Sequence, residues 1–376
     1  MATRVIRPPV QNGVIRGAVN RDKHRPWDAS RLDRGHAIGA SQPSLSWRKT
    51  MISKFSALAF GALLALGGSA SAQTFPSRPM TMVIPFAAGG PTDVLGRVVG
   101  ARMSEILGQQ VVIENVGGGG GQTGSRRVAD AKPDGYTFVV GTVGTHAQGQ
   151  TLYKKPLYNA MTDFTPVALL AEVPIILTVR KDLPVKNFKE FIEYAQKNQG
   201  KMQFGSAGAG SATHLGCVLL NSLLKTNINH IPYKGTGPAM IDLAAGRIDF
   251  LCEIITTAKP HVDNGTVRAL AIFDTERSKA LPKLATAIEQ GGPKDLIAYT
   301  WNAIFLPKNA PAEVVNKLNA AAVEAMKSPA VAGKLAGLGA KVATPKQMTP
   351  QYLADLVKSE IAKWAGPIKA SGVIIN

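Results

Sequence analysis

The residues best suited to hold a small ligand follow a short apolar run, in VIPFAAGGPTDVLGR at 83–97. The apolar run predicts a strand, the two glycines let the backbone approach a ligand closely, and Thr92 or Asp93 can cap the helix that follows. A helix N-terminus carries unpaired N–H groups and partial positive charge, and open α/β sheets bind ligands at the carboxyl ends of strands. The junction therefore predicts a site for an anion such as a carboxylate, with a plain tight turn as the alternative.

A second junction of the same kind, FGSAGAGSATH, spans residues 204–214. Small residues and hydroxyls again separate a predicted strand from a predicted helix, and Ser211 and Thr213 stand at N-cap positions. Two such loops in separate halves of the chain indicate a shared binding site more strongly than either alone. No arginine lies within either loop itself, since Arg97 belongs to the predicted helix after the first loop, and this favours recognition by neutral groups and water over an ion pair.

Catalytic and nucleotide-binding patterns are weak by comparison. Four histidines follow residue 72: His146, His214, His230 and His261. None has metal-ligand spacing, and no acid is identifiable that would orient His214 as a base for Ser211, so a packing or capping role is favoured. GGGQTG at 119–124 fits a dinucleotide-binding pattern, but the next predicted strand, 137–141, ends without Asp or Glu for a ribose. We therefore predict no enzyme activity, no metal site and no cofactor.

The elements that would position these residues alternate between strand and helix, which is typical of α/β folds whose sheets are covered on both faces. The predicted strands are 80–85, 110–114, 137–141, 166–171, 174–180, 202–206, 228–232, 248–254, 267–273 and 299–306. The predicted helices are 91–107, 122–131, 187–198, 211–224, 236–245, 311–327, 329–337 and 349–371.

Length, charge and cysteine content limit the classes of function. The 376 residues allow two domains, and 45% hydrophobic residues is ordinary for a globular protein. The net charge is +18, but after residue 72 no basic run is interleaved with aromatic residues, so no nucleic-acid partner is predicted. Cys217 and Cys252 can pair in an oxidising compartment or remain two buried apolar side chains.

Residues 51–72 have the three parts of a secretory signal peptide: a basic start, an apolar stretch at 55–68 and a small-residue cleavage site ending at Ala72. The apolar stretch is too short to span a membrane. Because signal peptides belong at the N-terminus, we predict that translation starts at Met51 and that residues 1–50 are a mis-called extension. The mature protein would be exported to the periplasm after cleavage at Ala72.

Several motifs, in one order, resemble the Bug family, the periplasmic solute-binding receptors of tripartite tricarboxylate transporters. They are PFAAGGPTDVLGR, ENVGGGGGQTGSRRVADAKPDGYTFVVG, GSAGAGSATHL, YKGTGPAMIDLAAGRIDF and LPKNAPAEVVNKLN. The resemblance covers residues 73–376 and implies a type II periplasmic-binding-protein fold, in which two α/β lobes are joined by two hinge crossings around a ligand cleft. Lobe one would comprise 73–176 plus 299–376, and lobe two 177–298.

The resemblance also implies which residues hold the ligand, a carboxylate-bearing solute. In lobe one they are Phe86, Gly89, Gly90, Thr92, Asp93 and Thr142. In lobe two they are Ser206, Gly208, Ser211, Thr213, Tyr233 and Glu253. Glu253 would contact a ligand amine or hydroxyl, or cap a helix. The five glycines after Val116 depart from the family's usual sequence at the cleft wall.

The function implied by the resemblance is capture of a small organic acid by a monomeric receptor that closes over it and docks on two membrane transporter subunits. A periplasmic sensory receptor, which hands the bound carboxylate to a membrane signalling partner, would use the same fold. Tricarboxylates, dicarboxylates, acidic amino acids and aromatic acids present the same carboxylate to the same N–H groups. The sequence therefore leaves the identity of the ligand open.

Overall fold

The computed structural model describes residues 74–370 and 372–375. The predicted signal peptide and residues 1–50 lie outside the described residues. Within the described range, no helix combines the length and the apolar character that a membrane crossing needs.

In the described part of the chain, the strands form one mixed sheet of ten in the order β2-β1-β3-β9-β4-β7-β5-β6, with β8 and β10 also paired to β4. They are β1 (Met80–Ile84), β2 (Val111–Asn115), β3 (Thr137–Thr142), β4 (Phe164–Arg180), β5 (Gln203–Ser206), β6 (Asn229–Pro232), β7 (Phe250–Ile254), β8 (Val267–Ile272), β9 (Tyr299–Pro307) and β10 (Lys341–Val342). β1 pairs in parallel with β2 and β3, and β5 with β6 and β7, so two groups of carboxyl strand ends are formed.

Strand β4 joins the two halves of the sheet. Up to Pro174 it pairs with β9, and from Ile175 it pairs with β7. The sequence predicted two strands here, whereas the structure has one of 17 residues. Pro174 lacks a backbone N–H and is tolerated because it lies where one partner strand gives way to the next. We call β1, β2, β3 and β9 the first half-sheet, and β5, β6, β7 and β8 the second half-sheet.

The helices cover both faces of the sheet. They are α1 (Pro91–Leu107), α2 (Gln122–Ala129), α3 (Gly149–Leu152), α4 (Phe188–Asn198), α5 (Ala212–Leu224), α6 (Thr236–Ala244), α7 (Ile255–Asp263), α8 (Ala312–Lys327), α9 (Pro329–Gly337) and α10 (Pro350–Ala370). The predicted helices agree with these bounds within two residues. Helices α3 and α7 were not predicted, because α3 has only four residues and α7 follows β7 without a loop and contains Pro260.

Close packing of α1 on β1 fixes where the N-terminus of this helix lies. Met82, Val83 and Ile84 of β1 are fully buried. Gly96 of α1 lies so close to the strand that a Cβ there would be 2.6 Å from Ile84 Cδ1. A larger residue would have to push the Ile84 side chain aside, so glycine favours this close packing of the start of α1 at the carboxyl edge of the first half-sheet.

The two cysteines form a disulfide, which decides between the alternatives that the sequence left open. Cys217 of α5 and Cys252 of β7 have Cα atoms 5.4 Å apart and are separated by 35 positions in sequence. The bond ties helix α5 to the strand beneath it within the second half-sheet. The disulfide thereby limits how far α5 and β7 can move relative to each other.

Candidate ligand-binding site

A small cavity lies where the carboxyl ends of β1, β3, β5 and β7 meet the start of β9. About 310 Å³ there is not filled by protein atoms, counting space open to solvent, and about 20 Å³ can hold the centre of a water molecule. Its walls are formed by Phe86, Pro91, Thr92, Thr142, Ala207, Ser211, Ala212, Thr213, Thr236, Ile254 and Thr300. Both half-sheets contribute to these walls, so the two sequence-predicted loops face one shared space.

The cavity walls are neutral and rich in hydroxyls. Five threonines and one serine are among the lining residues, and none of the described residues in the wall is charged. Hydroxyls both donate and accept hydrogen bonds, whereas a charged wall would fix the sign of the ligand. The chemistry of the cavity suits an anion held by neutral donors.

The loop before α1 is braced by Asp93. Its carboxylate accepts hydrogen bonds from the Gly89 N–H (2.9 Å), Arg97 Nε (2.9 Å) and Asn115 Nδ2 (2.9 Å). Burial alone would raise the pKa of Asp93, but the hydrogen bonds from Arg97, Gly89 and Asn115 together hold it below its usual value. Asn115 Nδ2 also donates to the Phe86 carbonyl at 3.1 Å. Asp93 therefore shapes the ligand loop from behind and does not line the cavity.

Internal bonds use several of the backbone N–H groups expected to face the ligand. The Ala87 N–H donates to the Lys234 carbonyl (2.9 Å), and the Gly89 N–H to Asp93. Helix α1 begins at Pro91, which has no N–H, so the first-turn donors that remain for a ligand are those of Thr92 and Asp93.

The Thr92 hydroxyl is set to donate into the cavity. Its oxygen accepts from Asn302 Nδ2 of β9 at 3.3 Å, and the side chain is 2% exposed. Because that bond uses a lone pair of the oxygen, the hydroxyl proton remains for an acceptor in the cavity. Asn302 was not among the sequence-predicted residues, since only the pairing of β9 with β3 and β4 brings it beneath α1.

The loop between β5 and α5 is held by its own hydroxyls. Ser211 caps α5 by accepting from the His214 backbone N–H (3.2 Å) and donates to the Gly208 carbonyl (2.7 Å). Thr213 Oγ1 accepts from the Ala207 N–H at 3.0 Å. Ser206 Oγ accepts from the Gly208 N–H at 3.0 Å. Ser206 and Gly208 thus shape the turn, while Ser211 and Thr213 reach the cavity.

The histidines near this loop are packed and neutral. The rings of His214 and His230 lie 4.3 Å apart, and His230 Nε2 is 2.7 Å from Ser206 Oγ. Burial lowers the pKa of His214 to about 3 and of His230 to about 4. Ser211 bonds the backbone of His214 and not its ring, so the pair is no nucleophile and base. The packing and capping role favoured from the sequence fits this geometry.

Five of the twelve residues expected to hold the ligand line the cavity. They are Phe86, Thr92, Thr142, Ser211 and Thr213. Those outside its lining are Gly89, Gly90, Asp93, Ser206, Gly208, Tyr233 and Glu253. The Tyr233 hydroxyl donates to Asp242 at 2.7 Å, while Glu253 is fully buried beside the lining residue Ile254. Sequence reasoning missed Thr236 and Thr300, although Thr236 directly follows the YKG motif.

The loops of the two half-sheets touch through backbone atoms, at a surface that we call the closing contact. It comprises residues 87–90 and 117–120 from the first half-sheet and 207–212 and 234–237 from the second. The Ala87 N–H donates to the Lys234 carbonyl across it. A Cβ added to Gly117 would overlap the Lys234 carbonyl oxygen, and one added to Gly237 would overlap that of Ala88. Only glycines allow the two sides to approach this closely.

Tyr153 bridges the closing contact at its edge. Its hydroxyl lies 2.8 Å from the carbonyl oxygens of both Gly119 and Ala209, one on each side. A phenol has one proton, so it donates to one of these carbonyls at a time. The glycine run that departs from the Bug pattern thus packs against the second loop, where Gly120 leaves no room for a side chain beside Ala209.

Comparison with known families agrees with this geometry. Residues 95–373 match the tripartite tricarboxylate transporter family receptor, TctC. The chain belongs to the TctC family. One relative, the UPF0065 protein of the TAR-I ttuE-ttuC' intergenic region of Agrobacterium vitis, is 38% identical over 322 residues, 86% of this chain and 92% of that protein. BugT of Bordetella pertussis is 33% identical over 314 residues, 83% of this chain and 95% of its own.

Solved structures of similar proteins share the fold. The periplasmic binding protein BugD has a TM-score of 0.77 at 38% identity, covering 80% of this chain and 99% of BugD. MatC of Rhodopseudomonas palustris, solved with malate, has a TM-score of 0.76 at 41% identity, covering 78% of this chain and 100% of MatC. R. palustris Rpa4515, solved with adipate, has a TM-score of 0.76 at 35% identity, covering 80% of this chain and 99% of Rpa4515. The predicted Bug-family membership and periplasmic-binding-protein fold are confirmed, and the TctC family is one of solute-binding receptors.

Proposed function

We propose that this TctC-family receptor captures a small carboxylate-bearing solute in the periplasm and delivers it to the two membrane subunits of a tripartite tricarboxylate transporter. The observation that carries the proposal is the neutral, hydroxyl-lined cavity at the N-terminus of α1. The bound malate of MatC and the bound adipate of Rpa4515 support it, because both are carboxylates held by proteins of the same fold.

The donors around the cavity are sufficient for the affinity that such a receptor needs. A carboxylate would accept from the Thr92 hydroxyl, the Thr92 and Asp93 N–H groups and, on the opposite wall, the Thr213 hydroxyl, since the Ser211 proton is used by the Gly208 carbonyl. Hydrogen bonds to a charged group contribute about 1.5–3 kcal/mol each. Three or four of them, less the cost of ordering the ligand, approach the roughly 8 kcal/mol of a micromolar complex.

The solute would enter by separation of two lobes, 73–176 plus 299–376 and 177–298. The cavity volume that a water centre can reach is only about 20 Å³, which fits a closed arrangement of the loops. We further propose that the receptor acts as a monomer and is exported by cleavage after Ala72. Opening then means breaking the closing contact while β4 and β9 bend where they cross between the lobes.

The test is ligand-induced thermal stabilisation of purified residues 73–376 with a panel of di- and tricarboxylates, acidic amino acids and aromatic acids. A true ligand at 100 times its dissociation constant adds about 2.7 kcal/mol to the free energy of unfolding. Thr92→Val should weaken binding, because it removes a donor and keeps the shape of the side chain. The matched control is Thr162→Val, at an exposed threonine away from the cavity. No stabilisation by any acid, with no acid co-purified by mass spectrometry, would refute the proposal.

A further inference from the structure

Three buried oxygen atoms near the end of β7 have no hydrogen-bond partner among the described residues. They are Glu253 Oε2, Thr236 Oγ1 and Thr256 Oγ1. Glu253 is 0% exposed and Thr236 is 2% exposed. A buried polar atom without a partner is unfavourable, so such atoms mark places where a further donor or acceptor belongs.

Two of these atoms adjoin the ligand cavity. Thr236, the first residue of α6, lines the cavity, as does Ile254, the neighbour of Glu253. A Cβ placed on Gly90 would lie 3.5 Å from Thr236 Oγ1, so this hydroxyl faces the N-terminus of α1. Thr236 therefore stands between the cavity and the buried carboxyl group.

The carboxyl group of Glu253 is fixed in orientation. Its Oε1 accepts from the Ile254 N–H at 2.8 Å and from the Thr257 hydroxyl at 2.9 Å. Burial raises the pKa of Glu253 to about 7, and the hydrogen bonds from the Ile254 N–H and the Thr257 hydroxyl oppose that rise. With Oε1 held in this way, Oε2 is the oxygen left for a further donor, and Thr236 is the neighbouring hydroxyl that acts on this carboxyl group.

The end of the cavity at Thr236 and Glu253 suits a ligand group that donates a hydrogen bond. An ionised carboxylate only accepts, so the Thr236 proton is directed to Glu253 Oε2 and the lone pairs of Thr236 Oγ1 are left for the ligand. A ligand hydroxyl or ammonium group satisfies them. A second ligand carboxylate at the same position would meet an acceptor and a buried like charge.

We infer that Thr236 and Glu253 form a specificity subsite that selects for a hydrogen-bond donor on the ligand. The ligand is then a small carboxylic acid bearing a hydroxyl or ammonium group. The carboxylate of this ligand lies toward Thr92 and the start of α1, and its donor group lies toward Thr236. The inference rests on the proposed function, because it assumes that the cavity binds an organic acid.

The experiment measures dissociation constants by calorimetry at pH 8 for acids of one skeleton that differ in the donor. Succinate has none, malate has a hydroxyl and aspartate has an ammonium group; glutarate with 2-hydroxyglutarate and tricarballylate with citrate extend the series. We expect the donor-bearing member to bind about 10-fold or more tightly than its donor-free partner. A preference for malate indicates selection of the hydroxyl, and a preference for aspartate indicates selection of the ammonium group.

Two variants test the assignment to these residues. Thr236→Val keeps the shape, removes the hydroxyl and should reduce the preference to about 3-fold or less. In Glu253→Gln the amide oxygen keeps the Ile254 bond and the amide nitrogen replaces Oε2, so the preference should vanish or reverse. Thr300→Val, on another wall of the cavity, is the control, and it should change both members of a pair by the same factor.

The outcomes distinguish failure of the subsite from failure of the proposed function. Equal affinities within every pair that binds, or a preference for donor-free acids, would overturn the subsite while the proposed function stands. A donor preference unchanged in both Thr236→Val and Glu253→Gln would also overturn it. No binding of any acid would overturn the proposed function, and the subsite with it.

Discussion

The substitution Gly237→Ala places a methyl group in the closing contact and should force its two sides apart. This glycine lies in the first turn of α6 with an ordinary helical backbone, so alanine is locally acceptable and raises helix propensity by about 1 kcal/mol. Across the contact, however, the new Cβ would overlap the Ala88 carbonyl oxygen and lie 3.3 Å from the Gly89 carbonyl carbon. The two sides would have to move apart by about 1 Å to restore ordinary contact.

Overpacking of this kind costs about 1–3 kcal/mol. With the proposed opening of the lobes, the penalty applies only to the closed form, because the clashing atoms belong to opposite sides of the contact. Gly237→Ala should therefore weaken ligand binding by about 5- to 150-fold. The free energy of unfolding of the ligand-free protein should stay near the wild-type value, since the two sides can part and α6 gains helix propensity.

Calorimetry with an acid found in the thermal screen measures the affinity, and chemical denaturation measures the stability. Gly200→Ala is the control, because a Cβ there meets no atom within 4 Å. Gly117→Ala places the methyl group on the other side of the same contact and should repeat the effect. Wild-type affinity in both Gly237→Ala and Gly117→Ala would refute the view that ligand retention depends on this contact.

Three further predictions use other parts of the structure. Replacing Cys217 and Cys252 by alanine should lower the free energy of unfolding by about 3–4 kcal/mol, from the loop that the disulfide closes, and a loss below about 1 kcal/mol in urea would contradict this. Tyr153→Phe should speed ligand dissociation about 2- to 10-fold, whereas Tyr352→Phe should not; stopped-flow release measures both. The folded-state pKa of Glu253, about 7, lies above its unfolded value, so stability is lost as pH rises from 4.5 through 7. Wild type should therefore lose on the order of 3 kcal/mol relative to Glu253→Gln between pH 4.5 and 8, and a constant difference would refute the shift.

Local signals in the sequence were enough to locate the two ligand loops. Apolar runs, glycines and hydroxyls at strand–helix junctions depend on neighbours in sequence, and the structure has both junctions facing one cavity. The same signals could not tell which atoms face that cavity. The sequence places Asp93 at a helix start whether it contacts the ligand or supports the loop. In the structure its bonds to Asn115 and Arg97 make it a support for the loop.

Residues that act across the fold gave no local signal. Tyr153 follows a short helix in a stretch without periodicity, and its two carbonyl partners are 34 and 56 positions away. Asn302 supports Thr92 over a separation of 210 positions. Such roles depend on which strands pair, and the pairing of β9 between β3 and β4 is a property of the whole chain.

The neutral walls of the cavity and the buried Glu253 together suggest how one fold can serve many acids. The carboxylate shared by all candidate ligands needs only hydroxyls and helix N–H groups, which the two junction loops supply. Discrimination must then come from what lies at the other end of the ligand. Here that end meets Thr236 and the carboxyl group of Glu253, whose Oε1 is already held by Ile254 and Thr257. An exchange at these two positions would change the ligand without disturbing the loops that hold its carboxylate.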